Sequence, residues 1–114
     1  MTIRSKFFYV RGEVYRIDLN PTKGSEINKT RPCIIVGTTP VNLARNTIVV
    51  IPLSSSPTPR PPLVVPILSQ GKNSVVVCDQ IRAIDKARVI EKMGELTLRE
   101  IDLLDKCLRK ILGL

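Results

Sequence analysis

The apolar residues of this chain are concentrated in short runs rich in valine and isoleucine. Branched side chains favour β-strands, because they fit the pleated surface of a sheet. The runs predict strands at 12–19, 32–37, 47–53, 63–68 and 74–79, with two shorter strands at 82–84 and 88–92. Between them lie segments that interrupt a strand: polar 20–31, irregular 38–46, the proline-rich SSSPTPRPP at 54–62 and the GKN turn at 71–73. The apolar density of 32–37 predicts a strand buried on both faces.

The C-terminal part follows a different pattern and predicts a helix over 98–112. Thr97 and Glu100 have the spacing of a capping box, in which each side chain bonds the backbone amide of the other residue. Apolar residues then recur every three or four positions, at Leu98, Ile101, Leu104, Leu108 and Ile111. Gly113 follows the last turn, where helices often end in a left-handed residue. These patterns predict one mainly β domain over 1–114, a small, closed or nearly closed barrel of five to seven strands with the helix packed on it and 1–10 as a lead-in.

Composition excludes two large classes of enzyme site. The chain has no histidine, so a histidine-assisted serine or cysteine nucleophile is impossible, and a zinc site would need thiolates and carboxylates alone. Cys33, Cys78 and Cys107 are widely spaced within apolar segments, which predicts buried thiols and no disulfide framework. The sequence has no apolar run long enough to span a membrane and no pattern typical of a secretory signal. We therefore expect a soluble cytoplasmic protein without membrane association.

The positive charge is unevenly distributed along the chain. Residues 1–72 carry a net charge of +7, residues 73–114 carry +1, and no acidic residue lies between Glu26 and Asp79. Such a basic half predicts an anionic partner, either nucleic acid or an acidic protein segment. The alternative is a solvated basic surface that serves solubility alone.

Two loops in this basic half carry reactive side chains. The first loop holds Lys23, Glu26, Asn28, Lys29 and Arg31, and the second holds Ser54, Ser55, Ser56 and Arg60. If the loops converge, they form a groove with cations for phosphate, hydroxyls for hydrogen bonding and one carboxylate.

Such a groove could cleave RNA without histidine or metal. RNA carries its own nucleophile, the 2′-hydroxyl, which attacks the adjacent phosphorus once a base accepts its proton. Arginine stabilises the negative charge of the transition state, and Glu26 or Asp79 could act as the base. Each residue also has a structural interpretation, in which Arg31 pairs with Glu26, residues 54–56 form a turn, and Asp79 bonds nearby backbone amides.

Several linked motifs resemble the MazF/PemK family of toxin endoribonucleases. They are RGEVYRIDLNPTKGSEINKTRPCIIVG at 11–37, IPLSS at 51–55 and VCDQIRAIDKARV at 77–89. Within them, Gly24, Glu26, Arg31 and Pro32 form a G-x-E-x-x-x-x-R-P arrangement. The resemblance implies an SH3-like barrel homodimer that cuts single-stranded RNA without a metal or cofactor, leaving 2′,3′-cyclic phosphate and 5′-OH ends. It also implies an acidic-tailed, MazE-like antitoxin, together with which such toxins bind DNA.

The resemblance also implies roles for individual residues. Arg31 matches the family arginine that stabilises the phosphate, and Ser54 matches the hydroxyl residue that assists it. Glu26, Ser55 and Asp79 are further candidates for catalysis or RNA positioning. Expected RNA contacts are Lys23, Asn28, Lys29, Arg60 and Gln80. The PemK branch uses an Arg-Cys-Asp triplet, but this chain has Val77 in place of that arginine, so it resembles the branch that relies on the arginine and hydroxyl pair.

Two rival functions come from other classes of protein. A non-catalytic toxin similar to the gyrase-binding toxin CcdB would lack the G-x-E-x-x-x-x-R-P arrangement, and a plain RNA-binding barrel would bind RNA without cutting it. The apolar run at 63–68 and the few devices that protect strand edges predict a twofold homodimer in either case.

Overall fold

The computed structural model describes residues 8–20, 24, 29–55, 64–71 and 74–114. Its elements in chain order are β1 Glu13–Asp18, β2 Thr30–Ile35, α1 Thr39–Ala44, β3 Thr47–Ser54, β4 Val64–Pro66, β5 Val75–Val77, β6 Arg82–Asp85, β7 Val89–Glu95 and α2 Leu98–Leu112. Single-turn 3-10 helices occur at Leu68–Gln70, Cys78–Gln80 and Lys86–Arg88. No helix in the described part of the chain is long and apolar enough to cross a membrane.

The seven strands form one antiparallel sheet, as expected for short strands on nearby segments. The strand order is β4-β5-β3-β2-β1-β7, and β6 pairs with β3. The two ends of this order approach each other, because the side-chain amide of Gln70, after β4, donates to the backbone carbonyl of Glu95 at the end of β7 (3.3 Å). The predicted mainly β fold, a nearly closed small barrel with a C-terminal helix, is confirmed.

The central strands are buried on both faces, which separates the core into two clusters. On β2, Ile34 belongs to the cluster beneath α2, while Cys33 and Ile35 belong to the cluster on the opposite face. The prediction of a strand buried on both faces is therefore confirmed. We call the face that carries Cys33 and Ile35 the open face only because α2 packs on the other one; its apolar cluster is itself buried.

Helix α2 begins and ends at the predicted residues. The Thr97 side chain accepts from the Glu100 amide, and the Glu100 side chain accepts from the Thr97 amide, so the capping box is complete. Gly113 has a φ of 72°, and its amide donates to the carbonyl of Arg109. Glu100 also accepts from the amide and the hydroxyl of Ser69, which ties the turn between β4 and β5 to the helix.

Several predicted boundaries differ from the structure, including β2 at Thr30–Ile35 instead of 32–37 and β7 at Val89–Glu95 instead of 88–92. The stretch at 38–46 is not irregular throughout, because α1 occupies Thr39–Ala44; a helix of 6 residues is too short to give a readable period. Its one buried residue, Asn42, donates to the carbonyls of Tyr9 (2.6 Å) and Gly37 (2.8 Å). The strands predicted at 63–68 and 74–79 are shorter, since 3-10 turns follow β4 and β5. The proline-rich segment from 56 and the tip of the 71–73 turn lie outside the described residues.

Candidate active site

The register between β2 and β3 brings Arg31 and Ser54 together. In this antiparallel pair Cys33 lies opposite Pro52, and Ile35 lies opposite Val50. Continued by two residues beyond Cys33, the same register places Arg31 opposite Ser54. Directly opposed residues of antiparallel strands project to the same face, with Cβ atoms about 5 Å apart. The two residues that the motifs single out therefore project to the same face, two residues beyond the last pair of this ladder.

Arg31 is half-buried and has an unsatisfied nitrogen. It also lies opposite Ile17 of β1, so apolar and polar neighbours flank it on either side. Its Nε is shielded from solvent and has no hydrogen-bond partner among the described residues. Burying a charged donor without an acceptor is unfavourable, and an anionic oxygen would supply the missing partner.

The predicted Asp79 and Gln80 reach the same part of β3 from its other edge. Beyond that edge Ser54 pairs with Val75 of β5, and Val50 pairs with Arg82 of β6. The 3-10 turn Cys78–Gln80 connects β5 to β6, so it lies alongside the middle of β3. Asp79 is exposed on this turn and Gln80 is half-buried.

The remaining predicted site residues fall into two groups. Some lie at the rim of the site, and the others lie outside the residues that the structure describes. Ser55 is exposed directly after β3, and Lys29 is exposed directly before β2. Lys29 has a φ of 68°, and its amide donates to the Asn20 side chain (3.0 Å) at the base of the long loop. Lys23, Glu26, Asn28 and Arg60 lie outside the described residues, so the pairing of Arg31 with Glu26 and the convergence of the two loops stay predictions.

The sequence did not single out Arg82, which shares this face. Because Arg82 lies opposite Val50, and Val50, Pro52 and Ser54 alternate along one strand, the Arg82 side chain projects to the open face. Its charge acts on Cys33: burial raises the pKa of the Cys33 thiol to about 12, and the Arg82 charge partly offsets this increase. The sequence shows that Arg82 and Ile84 alternate as residues on one face of a strand do. The pairing of β6 with β3 is needed to show which face of the sheet that is.

Comparison with known proteins identifies the family. A family model described as the PemK-like, MazF-like toxin of type II toxin–antitoxin systems matches residues 10–112. The chain belongs to this family. Endoribonuclease MazF9 of Mycobacterium tuberculosis (strain ATCC 25618 / H37Rv) is similar to this MazF-like toxin, at 32% identity over 113 residues, which cover 91% of the chain and 96% of that protein.

Solved structures share the fold of this MazF-like toxin. MazF from Deinococcus radiodurans superimposes with a TM-score of 0.81 at 21% identity, covering 95% of this chain and 99% of that one. An endoribonuclease from Mycobacterial species, solved in complex with its cognate antitoxin, has a TM-score of 0.76 at 25% identity, covering 92% of this chain and 95% of that one.

Proposed function

We propose that this MazF-like toxin cleaves single-stranded RNA by transesterification, with Arg31 and Ser54 acting on the scissile phosphate. The named relatives are endoribonucleases, which favours this activity over DNA gyrase binding. The observation that carries the proposal is the register that sets Arg31 opposite Ser54 on the open face. The shielded Arg31 Nε, without an acceptor in the described residues, is oriented by the fold before any substrate binds.

The reaction needs no group beyond the RNA and the side chains of the site. The 2′ oxygen forms a bond to phosphorus while the bond from phosphorus to the 5′ oxygen breaks, which gives a 2′,3′-cyclic phosphate and a 5′-OH end. The proton of the 2′-hydroxyl passes to a base, and the departing 5′ oxygen takes up a proton. Arg31 donates to the phosphoryl oxygens, whose negative charge increases in the transition state, and Ser54 holds one of these oxygens by a hydrogen bond.

Asp79 is the described carboxylate that we assign to proton transfer. It is exposed on the turn that lies alongside the middle of β3, on the edge opposite Arg31. A base and a charge-stabilising arginine on opposite sides of the phosphate suit an in-line displacement. Glu26 is the alternative base, and mutation of each carboxylate in turn distinguishes it from Asp79.

The first test is cleavage of a long single-stranded RNA in EDTA by purified protein. Arg31→Ala is expected to lower the cleavage rate about a hundredfold or more, because it removes a donor to the transition state. Its thermal stability should be unchanged or higher, since the mutation removes a shielded nitrogen that lacks a partner. Arg99→Ala, on the exposed surface of α2, removes the same charge elsewhere and should retain wild-type cleavage.

The ends of the products test the chemistry. Cyclic phosphate and 5′-OH ends support transesterification, whereas 5′-phosphate ends would contradict it. Wild-type cleavage by Arg31→Ala would refute the assigned site. RNA binding without any cleavage by the wild type would instead identify a binding barrel. Asp79→Asn and Glu26→Gln should differ in the acidic part of the pH–rate profile, because only the variant that lacks the base loses the rise in rate that accompanies deprotonation of that base.

We also propose that an acidic-tailed antitoxin inhibits this toxin by occupying the same surface, and that the toxin is a cytoplasmic homodimer. The basic balance of residues 1–72 offers an acidic peptide the same partners as RNA. Binding of the peptide should therefore compete with RNA and weaken with salt. Titration of a neighbouring acidic protein against RNA cleavage tests this mechanism, which fails if the protein binds tightly and leaves cleavage unchanged. A monomeric mass at micromolar concentration would contradict the dimer.

A further inference from the structure

We propose that Arg82 holds a second phosphate of the RNA, next to the one held by Arg31. The inference rests on the proposed RNA cleavage, since it assigns a substrate contact to that same surface. Arg82 lies within the motif at 77–89, but the resemblance assigned it no role, so the inference adds a binding residue to the site.

The positions of the two arginines allow them to hold neighbouring phosphates. Arg31 lies opposite Ser54 when the β2–β3 register is continued, and Arg82 lies opposite Val50, so they are four residues apart along β3. They also lie on opposite edges of β3, two strand spacings apart. Strand geometry then separates their Cα atoms by roughly 16 Å, from about 13 Å along the strand and about 10 Å across it. Two long side chains at that separation can reach neighbouring phosphates of one chain.

The Arg82 guanidinium has the same unsatisfied chemistry as that of Arg31. Arg82 is half-buried, and its Nη1 is shielded from solvent without a hydrogen-bond partner. None of the ion pairs found in the described part of the chain includes Arg82. A guanidinium held in this way, on a face that contains a second one, is suited to an anion with several oxygen atoms.

A purely structural role is the competing explanation. The electrostatic effect of Arg82 on Cys33 shows that its side chain lies near the apolar cluster of the open face. The stem could simply cover that cluster, as long basic side chains often do. A covering role depends on the stem, whereas a phosphate contact depends on the charge. Arg82→Met keeps an unbranched apolar stem and removes the charge, so it separates the two roles.

The first measurement is binding as a function of salt. A 2′-deoxy oligonucleotide of mixed sequence lacks the nucleophile and remains uncut, so its affinity can be measured by fluorescence anisotropy with active protein. Loss of one phosphate contact should reduce the slope of log affinity against log salt by about 0.7. Arg82→Met should show this reduction, Arg82→Lys should restore most of the slope, and Arg99→Ala, on the helix that packs on the other face, should match the wild type.

The second measurement separates binding from chemistry in RNA cleavage. A contact that is equally strong in the bound substrate and in the transition state affects KM and leaves kcat unchanged. Arg82→Met should therefore raise KM about tenfold or more with kcat within about threefold of the wild type. Arg31→Ala should lower kcat instead.

The outcomes decide between the inference and its alternatives. An unchanged salt slope or an unchanged KM in Arg82→Met overturns the second phosphate contact, and so does a loss of thermal stability that Arg82→Lys shares, because the guanidinium then has a structural role in the free protein. If the wild type cleaves RNA and Arg82→Met behaves like it, the cleavage proposal stands and this inference fails. If the wild type does not cleave but Arg82→Met still reduces the salt slope, cleavage fails and the phosphate contact stands.

Discussion

Replacing Glu100 with glutamine tests how the fold stabilises the turn that precedes β5, the strand that pairs with Ser54. One carboxylate oxygen of Glu100 accepts from the Ser69 amide (3.0 Å), and the other accepts from the Ser69 hydroxyl (2.5 Å) and the Thr97 amide (2.9 Å). Glutamine has one acceptor oxygen, so either orientation of its amide leaves one backbone N–H facing another donor. The turn that Glu100 holds lies between β4 and β5, and β5 pairs with Ser54.

The magnitude follows from the groups left without partners. A buried amide without an acceptor costs about 1–3 kcal/mol, and the remaining hydrogen bonds lose the contribution of the charge. The expected decrease in the free energy of unfolding at pH 7 is therefore about 2–3 kcal/mol, which lowers the melting temperature by roughly 6–12 °C for a domain of this size. Thermal unfolding and urea titration at fixed protein concentration measure it.

Asp102→Asn is the matched control, because it also neutralises one carboxylate on α2. Asp102 is exposed and pairs with Lys106 at 3.1 Å, one turn further along the helix. An exposed pair of this kind contributes at most about 0.5 kcal/mol. If Glu100→Gln destabilises the protein no more than Asp102→Asn does, the hydrogen bonds of Glu100 make no net contribution and the reasoning is refuted.

The same contacts give a direction of pH dependence. Burial on its own raises the pKa of Glu100, but the hydrogen bonds from Ser69 and Thr97 outweigh it, so the pKa in the folded protein lies below the usual value of 4.5. Because folding lowers the pKa of Glu100, the ionised side chain stabilises the folded protein fully above the pKa that Glu100 has in the unfolded chain. This stabilisation is lost as the pH falls through the pKa that Glu100 has in the folded protein. The difference between the wild type and Glu100→Gln should therefore decrease below about pH 4.5, and a difference that stays constant would contradict the assignment.

Three further predictions concern the buried thiols and Lys29. Cys33, Cys78 and Cys107 are buried, so Ellman's reagent at pH 8 should label no thiol in the native protein and three after denaturation; rapid native labelling would contradict this. Because burial raises the pKa of Cys33 to about 12, its contribution to stability should decrease as the pH rises above the unfolded value of about 8.5, and Cys33→Ala should flatten that alkaline loss. Lys29→Gly relieves a φ of 68° and should raise the free energy of unfolding by up to about 1 kcal/mol in urea, whereas a decrease of that size would show that the residue is not strained.

The elements predicted most accurately from the sequence are those fixed by local chemistry. The ends of α2 depend on Thr97, Glu100 and Gly113, which act within one turn of the chain, and the structure has the helix at the predicted residues. Strand ends depend instead on where a partner strand ends. The valine-rich run at 74–79 therefore predicted a longer strand than the observed Val75–Val77, because the chain must cross from β5 to β6 along one edge of β3. No local signal in the sequence encodes that crossing.

The candidate site shows the same division between local and non-local information. Motif resemblance selected Arg31 and Ser54 separately, and the register of β2 against β3 directs these two residues, which are far apart in the sequence, to the same face of the sheet. Arg82 was not selected, because the resemblance of the motif at 77–89 assigned no role to it. Its place opposite Val50 depends on β6 pairing with the middle of the sheet, which pattern and spacing do not reveal.

The unsatisfied nitrogens of Arg31 and Arg82 link the stability of the sheet to its proposed chemistry. Each guanidinium has one nitrogen already removed from water and without an acceptor in the described residues, which costs stability in the free protein. When a phosphate binds, those nitrogens need little further desolvation or reorientation, so a larger share of the interaction is available to hold the substrate and its transition state. Partly buried charges are also less screened by salt than exposed ones. The two half-buried arginines should therefore retain part of their effect at salt concentrations that remove the contribution of exposed residues such as Lys29, which makes the open face selective for a strand that places phosphates at both positions.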